Sequence, residues 1–199
     1  MKRIKLFTLV IALIVINGCA KSPAFIKASS TSVRDDVFQE LEKSSHPIPK
    51  GYADLRITST LKTHKPGIYP YDNNKAHGTT DFMLLLNIDG QAVRIKGIAS
   101  EEDIEPRSLR DPEAGEGIRY RFQKNLRLKS GAHRVVVAIP EEEIADEREI
   151  NLVEGSINSL VLEPLYGSAI GKQRPGFYGV TSFYQGIKGF RVLLNGKPM

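Results

Sequence analysis

Two histidines and two aspartates fall within an 18-residue stretch: His64, Asp72, His77 and Asp81. Imidazoles and carboxylates together make divalent metal sites and general acid–base pairs. This stretch, which also carries Lys65, Pro66 and Tyr69, is therefore where a metal-dependent hydrolase would keep its ligands. The spacing argues against that chemistry. Ligand pairs are usually fixed on one face of an element, as in His-x-x-x-His on a helix. Here 12 residues containing Gly, Pro and Asn separate the histidines and fix no geometry. The expectation is a solvated connection between strands, with the hydrolase as the alternative.

Three other groups invite the same question. His133 follows Ser130-Gly131 and stands beside Arg134. A general base needs an orienting carboxylate and a nucleophile; no Gly-x-Ser-x-Gly elbow accompanies it, so it reads as a structural histidine at a strand start. Glu141, Glu142 and Glu143, with Asp146 and Glu147, lack the alternating carboxylates and central glycine of a calcium loop, and read as a solvated loop. Between 167 and 190, Gly167, Gly171, Gly176, Gly179, Gly186 and Gly189 alternate with Lys172, Arg174, Phe177, Tyr178, Phe183, Tyr184 and Lys188. Exposed aromatics can stack on sugars or anchor a partner, and basic residues meet acidic groups. Arg174, Phe177, Tyr178, Phe183 and Tyr184 are thus the candidate binding residues, against the plainer reading in which Phe183 and Phe190 fill a core. No phosphate loop or dinucleotide fingerprint is present, and no cofactor is expected.

The elements that would hold these groups are strands. From Tyr52 the apolar period is 2: Leu55, Ile57, Ser59 and Leu61 alternate with Arg56, Thr58 and Thr60. Phe82 to Ile88 is continuously apolar, as in a central strand, and Asp89-Gly90 is a type I′ hairpin signal. Further strands are expected at 92–95, 118–122, 135–139, 150–152, 160–162 and 190–194, with an acidic solvated loop over 99–117. The pattern predicts an all-β chain, a single antiparallel β-sandwich over 51–199. Residues 19–50 read as a flexible Ser- and Pro-containing tether with one short helix, in which Val33, Val37, Phe38 and Leu41 fall at helical spacing behind a Ser32 cap. Nothing after Leu194 covers the last strand, which leaves its edge free for a partner.

The first 18 residues set the compartment. Lys2, Arg3 and Lys5 precede an apolar run from Leu6 to Ile16 that is broken only by Thr8. As a helix this run reaches roughly 16 Å, about half a bilayer core, the size of a signal-peptide core rather than a membrane span. Asn17, Gly18 and Cys19, the sole cysteine of the 199-residue chain, follow. Ile16-Asn17-Gly18-Cys19 resembles the lipobox of bacterial lipoproteins. That resemblance implies cleavage after residue 18, lipidation of Cys19 and a membrane-anchored envelope protein, with Ala20 matching the sorting context of outer-membrane lipoproteins. A second resemblance is limited to residues 126–162. There Leu126-x-Leu128-x-Ser130-Gly131-x-His133-x-Val135, Ile150-x-Leu152-x-x-Gly155 and Leu160-x-Leu162 are similar to PEGA-type and transthyretin-like sandwich modules, which implies an immunoglobulin/transthyretin-like fold and a structural or binding role, not catalysis.

Composition agrees with this reading. The net charge of +5 comes from 28 basic and 23 acidic residues. Removing residues 1–18 leaves 25 basic residues, a net +2 that gives no case for nucleic acid. One cysteine excludes an internal disulfide framework and a thiolate zinc site. The expected protein is a non-enzymatic, lipid-anchored lipoprotein whose partner is an envelope protein or glycan.

Overall fold

The period-2 stretches pair into two sheets. The computed structural model describes residues 23–42, 47–67, 76–106, 111–167 and 181–199. A short helix, α1 (Pro23–Ser29), precedes β1 (Phe38–Leu41), β2 (Tyr52–Thr63), β3 (Met83–Ile88), β4 (Gln91–Lys96), β5 (Ile98–Ile104), β6 (Gly115–Lys129), β7 (Gly131–Ile139), β8 (Ile144–Leu152), β9 (Ile157–Tyr166), β10 (Ile187–Leu194) and β11 (Lys197–Pro198). The larger sheet has seven strands in the order β1-β6-β2-β9-β10-β11, with β5 also on β6; the smaller runs β4-β3-β7-β8. Leu55, Ile57 and Leu61 on β2 and Tyr120, Phe122 and Leu126 on β6 share one core with Leu84, Leu86 and Ile88 on β3 and Val135, Val137 and Ile139 on β7.

This is an all-β, two-sheet fold, but the pairing is not uniformly antiparallel: β2 and β9 run parallel, Asp54 beside Ile157 through Ser59 beside Leu162. The Glu154-Gly155 turn carries the chain from the smaller sheet to the larger. There Gly155 N–H donates to the Tyr52 carbonyl and Asp54 N–H to that of Ser156, which sets β9 off in the direction of β2. Asp89 and Gly90 both have positive φ, 47° and 94°, as the type I′ turn requires.

The continuously apolar β3 and β7 are explained by what covers their second face. Leu85, Val136, Ala138 and Ala145 point away from the central core and form a second cluster with Ile26 of α1. Asn87 fixes the end of that helix by donating to the Ser29 carbonyl at 2.9 Å. Residues 23–42 are therefore part of the fold and not a tether. The helix expected behind Ser32 is absent. Val37 and Phe38 instead donate backbone N–H groups to Gln91 Oε1 at 2.8 and 3.0 Å, and β1 adds to β6 with Phe38 opposite Leu128. A ten-residue helix is marginal alone, whereas the open edge of β6 offers backbone partners. Burial of Ile26, Val37 and Phe38 at about 1.5–3 kcal/mol each ties the segment down.

Two acidic stretches are also structured. The expected loop over 99–117 contains β5 and the start of β6; Glu102 of β5 is opposite Gly117 and pairs with Arg119. Carboxylates on an edge strand suit its exposure and discourage further strand addition. Residues 140–147 form a 3-10 turn (Pro140–Glu142) followed by β8. At the other end, Asn195-Gly196 turns the chain back at φ 51° and 77°, so β11 pairs with Leu193 and Leu194 and the end of β10 is not left bare.

Candidate functional site

His64 and His77 converge. His64 lies just past the end of β2, His77 shortly before β3, and the two rings meet edge to face with His77 Nδ1 2.7 Å from His64 Nε2. The expected solvated connection is overturned at these residues, which are 2% and 1% exposed. His77 Nε2 lies 2.6 Å from Glu142 Oε1, and His64 Nδ1 donates to the Lys65 carbonyl at 2.9 Å. Glu142 is itself 2% exposed. Sequence reasoning missed it because 64 residues separate it from His77 and it sits in an acidic run. The available signal was Pro140, which closes a buried strand with a one-turn helix. Glu143, at φ 54°, ends that turn and stays outside while Glu142 is drawn in. Burial pushes the carboxyl of neighbouring Glu141 up from its ordinary range.

The hydrogen bonds of this chain require protons at particular places. The Lys65 carbonyl only accepts, so His64 Nδ1 carries a proton. The remaining two contacts, His64–His77 and His77–Glu142, each need one proton between two heavy atoms. Three protons fill the chain with zero net charge, whether Glu142 is a carboxylate beside an imidazolium or a carboxylic acid beside two neutral rings. With only two protons, one of these contacts would set two lone pairs facing. The unit can pass a proton internally, and it bridges the end of β2 in one sheet to the turn after β7 in the other.

As a metal site it is poorly disposed. Two imidazole nitrogens on one tetrahedral zinc stand about 3.3 Å apart, and these point at each other at 2.7 Å. Among the described residues no group of three His, Cys, Asp or Glu could hold a metal ion. Asp81 is exposed, and Asp72 lies outside the described residues. His133 is a buried clamp, as expected: its ring nitrogens lie 2.7 Å from Asp89 and 2.7 Å from the Lys129 carbonyl, joining the β3–β4 turn to the β6–β7 turn.

A second polar network lies at the same end of the larger sheet. Lys62, fully buried, donates through Nζ to the Glu113 and Gly115 carbonyls and sits 4.8 Å from the centre of the Phe183 ring. Tyr166 accepts from the Lys62 N–H and donates to Glu113 at 2.7 Å. Arg119 joins Glu113 to Glu102. Burial holds the Lys62 ammonium pKa below its usual value; burial and the Glu113 charge hold the Tyr166 phenol above its own. Gly117 makes the close packing feasible, since a Cβ there would lie 2.6 Å from the Thr63 carbonyl oxygen and 2.8 Å from both Lys62 Cε and the Phe183 ring.

Of the candidate binding residues, Cys19 (the lipidation candidate), Arg174, Phe177 and Tyr178 lie outside the described residues. Phe183 is a correction: it is fully buried over Lys62 and offers no stacking face. A 3-10 turn (Phe183–Gln185) with a Ser182 capping box seats it, and its N–H donates to the Pro112 carbonyl at 2.9 Å. Tyr184 is half-buried, with its hydroxyl on the Glu116 carbonyl. Next to these contacts with Pro112 and Glu116 is a charged cleft of about 380 Å³ lined by Glu102, Ile104, Asp111, Glu113, Arg119 and Arg121. The Arg121 side chain is exposed and has no hydrogen-bond or ion-pair partner among the described residues. No family model matches the chain, and comparison with curated proteins and with solved structures returned no match.

Proposed function

We propose that the protein is a lipid-anchored lipoprotein of the bacterial cell envelope, held at the outer membrane by acylation of Cys19, with a structural or binding role and no catalytic one. The observation that carries this reading is positional. A basic start, an 11-residue apolar run, Gly18 and the single cysteine coincide, and the first docked element, α1, begins only four residues after that cysteine. Cleavage after residue 18 would leave every described strand intact. Within this reading the two sheets are an immunoglobulin/transthyretin-like sandwich, to which residues 126–162 contribute β7, β8 and the β6–β7 and β8–β9 turns.

The charged cleft beside Tyr184 is the binding surface in this proposal. Arg119 is engaged with Glu102 and Glu113, whereas Arg121 is available to an anionic group of an envelope protein or glycan. A photo-crosslinking residue at Arg121 in cells is expected to give a discrete adduct, and Arg191, on the outer face of the same sheet, is the control position. Equal labelling at both positions would remove the binding half of the proposal. Loss of radiolabelled palmitate incorporation in Cys19→Ser tests the anchoring half independently.

A further inference from the structure

We propose that the α1 side of the smaller sheet is the membrane-facing surface of the anchored protein, packed against lipid headgroups by a leash too short to let the domain stand clear. The inference rests on lipidation of Cys19. Four peptide steps separate Cys19 from Pro23, the first residue of α1, and a fully extended chain gains at most about 3.6 Å per step, so the leash reaches no more than about 14 Å. A flexible tether of about 30 residues would instead give roughly 30 Å root-mean-square. The point of attachment cannot swing away from the domain, because α1 is fixed to it. Ile26 is 6% exposed in a cluster with Leu85, Val136, Ala138 and Ala145, and Asn87 holds the Ser29 carbonyl.

The surface so placed contains Lys27, exposed on α1, and Val33, 79% exposed at the rim of a groove of about 290 Å³ that Phe25 and Ala28 also line. Arg94 and Lys96 of β4, opposite Leu85 and Met83, are exposed on the same face, while Arg34 pairs with Asp36 and Arg134 with Glu147. Lys27, Arg94 and Lys96 add attraction to anionic lipid, which salt screens, whereas the closeness set by the length of the leash does not depend on salt. The opposite face of the molecule, where Arg191 pairs with Glu163 on the outside of the larger sheet, is two sheet spacings away, about 20 Å or more.

The test uses the full lipidated chain, purified from a bacterial host and reconstituted in phosphatidylethanolamine–phosphatidylglycerol vesicles carrying a headgroup nitroxide. A fluorophore is attached through Lys27→Cys or Arg191→Cys, each checked for parental thermal unfolding. The Lys27 probe is expected to be quenched at least threefold more than the Arg191 probe, at 0.1 M and at ~0.5 M salt alike, the latter leaving a Debye length of about 4 Å. Inserting 12 Gly/Ser residues between Lys21 and Ser22 adds roughly 20 Å of reach and is expected to bring the two probes level, with vesicle co-flotation unchanged. Equal quenching without the insert, or a difference that disappears with salt, overturns the proposal while co-flotation still supports anchoring. Loss of co-flotation in the parent chain overturns the anchoring reading, and this proposal with it.

Discussion

Replacing Glu142 with glutamine and with alanine separates the two things a buried carboxylate can do. In the His64–His77–Glu142 chain the carboxyl group completes a hydrogen-bond series that ends on the Lys65 carbonyl. Glutamine can complete it too: its amide N–H donates to His77 Nε2, His77 Nδ1–H donates to His64 Nε2, and His64 still donates to Lys65. Only the capacity to exchange a proton is lost, and Glu142→Gln is expected to cost no more than about 1.5 kcal/mol, one ordinary hydrogen bond. Alanine leaves His77 Nε2 buried beside a void. A lost bond to a charged group costs about 1.5–3 kcal/mol, and with the cavity term the total reaches about 3–4 kcal/mol. That corresponds to a fall in Tm of roughly 6–15 °C for a domain of this size. Equilibrium urea unfolding of both variants reads the difference as a shift of midpoint at constant slope. Imidazole ¹⁵N shifts in Glu142→Gln should show both rings neutral with protons on Nδ1. If glutamine proves as damaging as alanine, the carboxylate charge is needed for something other than this series, and the proton count is wrong.

Four further outcomes follow from the packing. Gly117→Ala forces a methyl against the Thr63 carbonyl, Lys62 and Phe183, and should destabilise by about 1–3 kcal/mol in thermal unfolding. Deleting residues 1–46 removes Ile26, Val37 and Phe38 from the two cores; the loss of about 5–9 kcal/mol approaches the whole stability of a typical domain, so the truncated chain should fail to show cooperative unfolding by circular dichroism. Glu141 has a folded-state pKa raised by burial, so its ionisation opposes folding above that pKa and is without effect below the ordinary carboxylate range. Glu141→Gln should therefore raise the unfolding midpoint at pH 7 and leave it unchanged near pH 3. Tyr120, whose hydroxyl is bonded to the Thr79 carbonyl and whose pKa burial pushes up to about 12, should stay protonated in the native protein at pH 11 by ultraviolet difference titration, whereas early ionisation there would contradict its burial.

Strands were legible where one period dominates. β2 alternates cleanly because one face meets the core. β3 and β7 are apolar on both sides, and that continuity signalled a covered second face without naming α1 as the cover. The N-terminal segment misled because Val37 and Phe38 are adjacent: spacing counted with Val33 and Leu41 suggests a helix, but the open edge of β6 decides. Acidic stretches misled for a related reason. Composition reports charge and not pairing, so Glu102 opposite an arginine strand and Glu142 beneath a histidine looked like solvated loop. The site itself was half legible: both histidines were singled out, but no local spacing can reveal a partner 65 residues away. Conversely His133, next to a Ser-Gly turn, announced its clamp role, since a histidine at a strand start has backbone carbonyls within reach.

The intact mass of the mature protein from its bacterial envelope bears most directly on the account. A chain of residues 19–199 carrying diacylglycerol on the Cys19 sulfur and an acyl group on its amine is the expected species. A chain that retains residues 1–18, or one cleaved there with a free thiol at Cys19, would contradict the anchor and everything built on it.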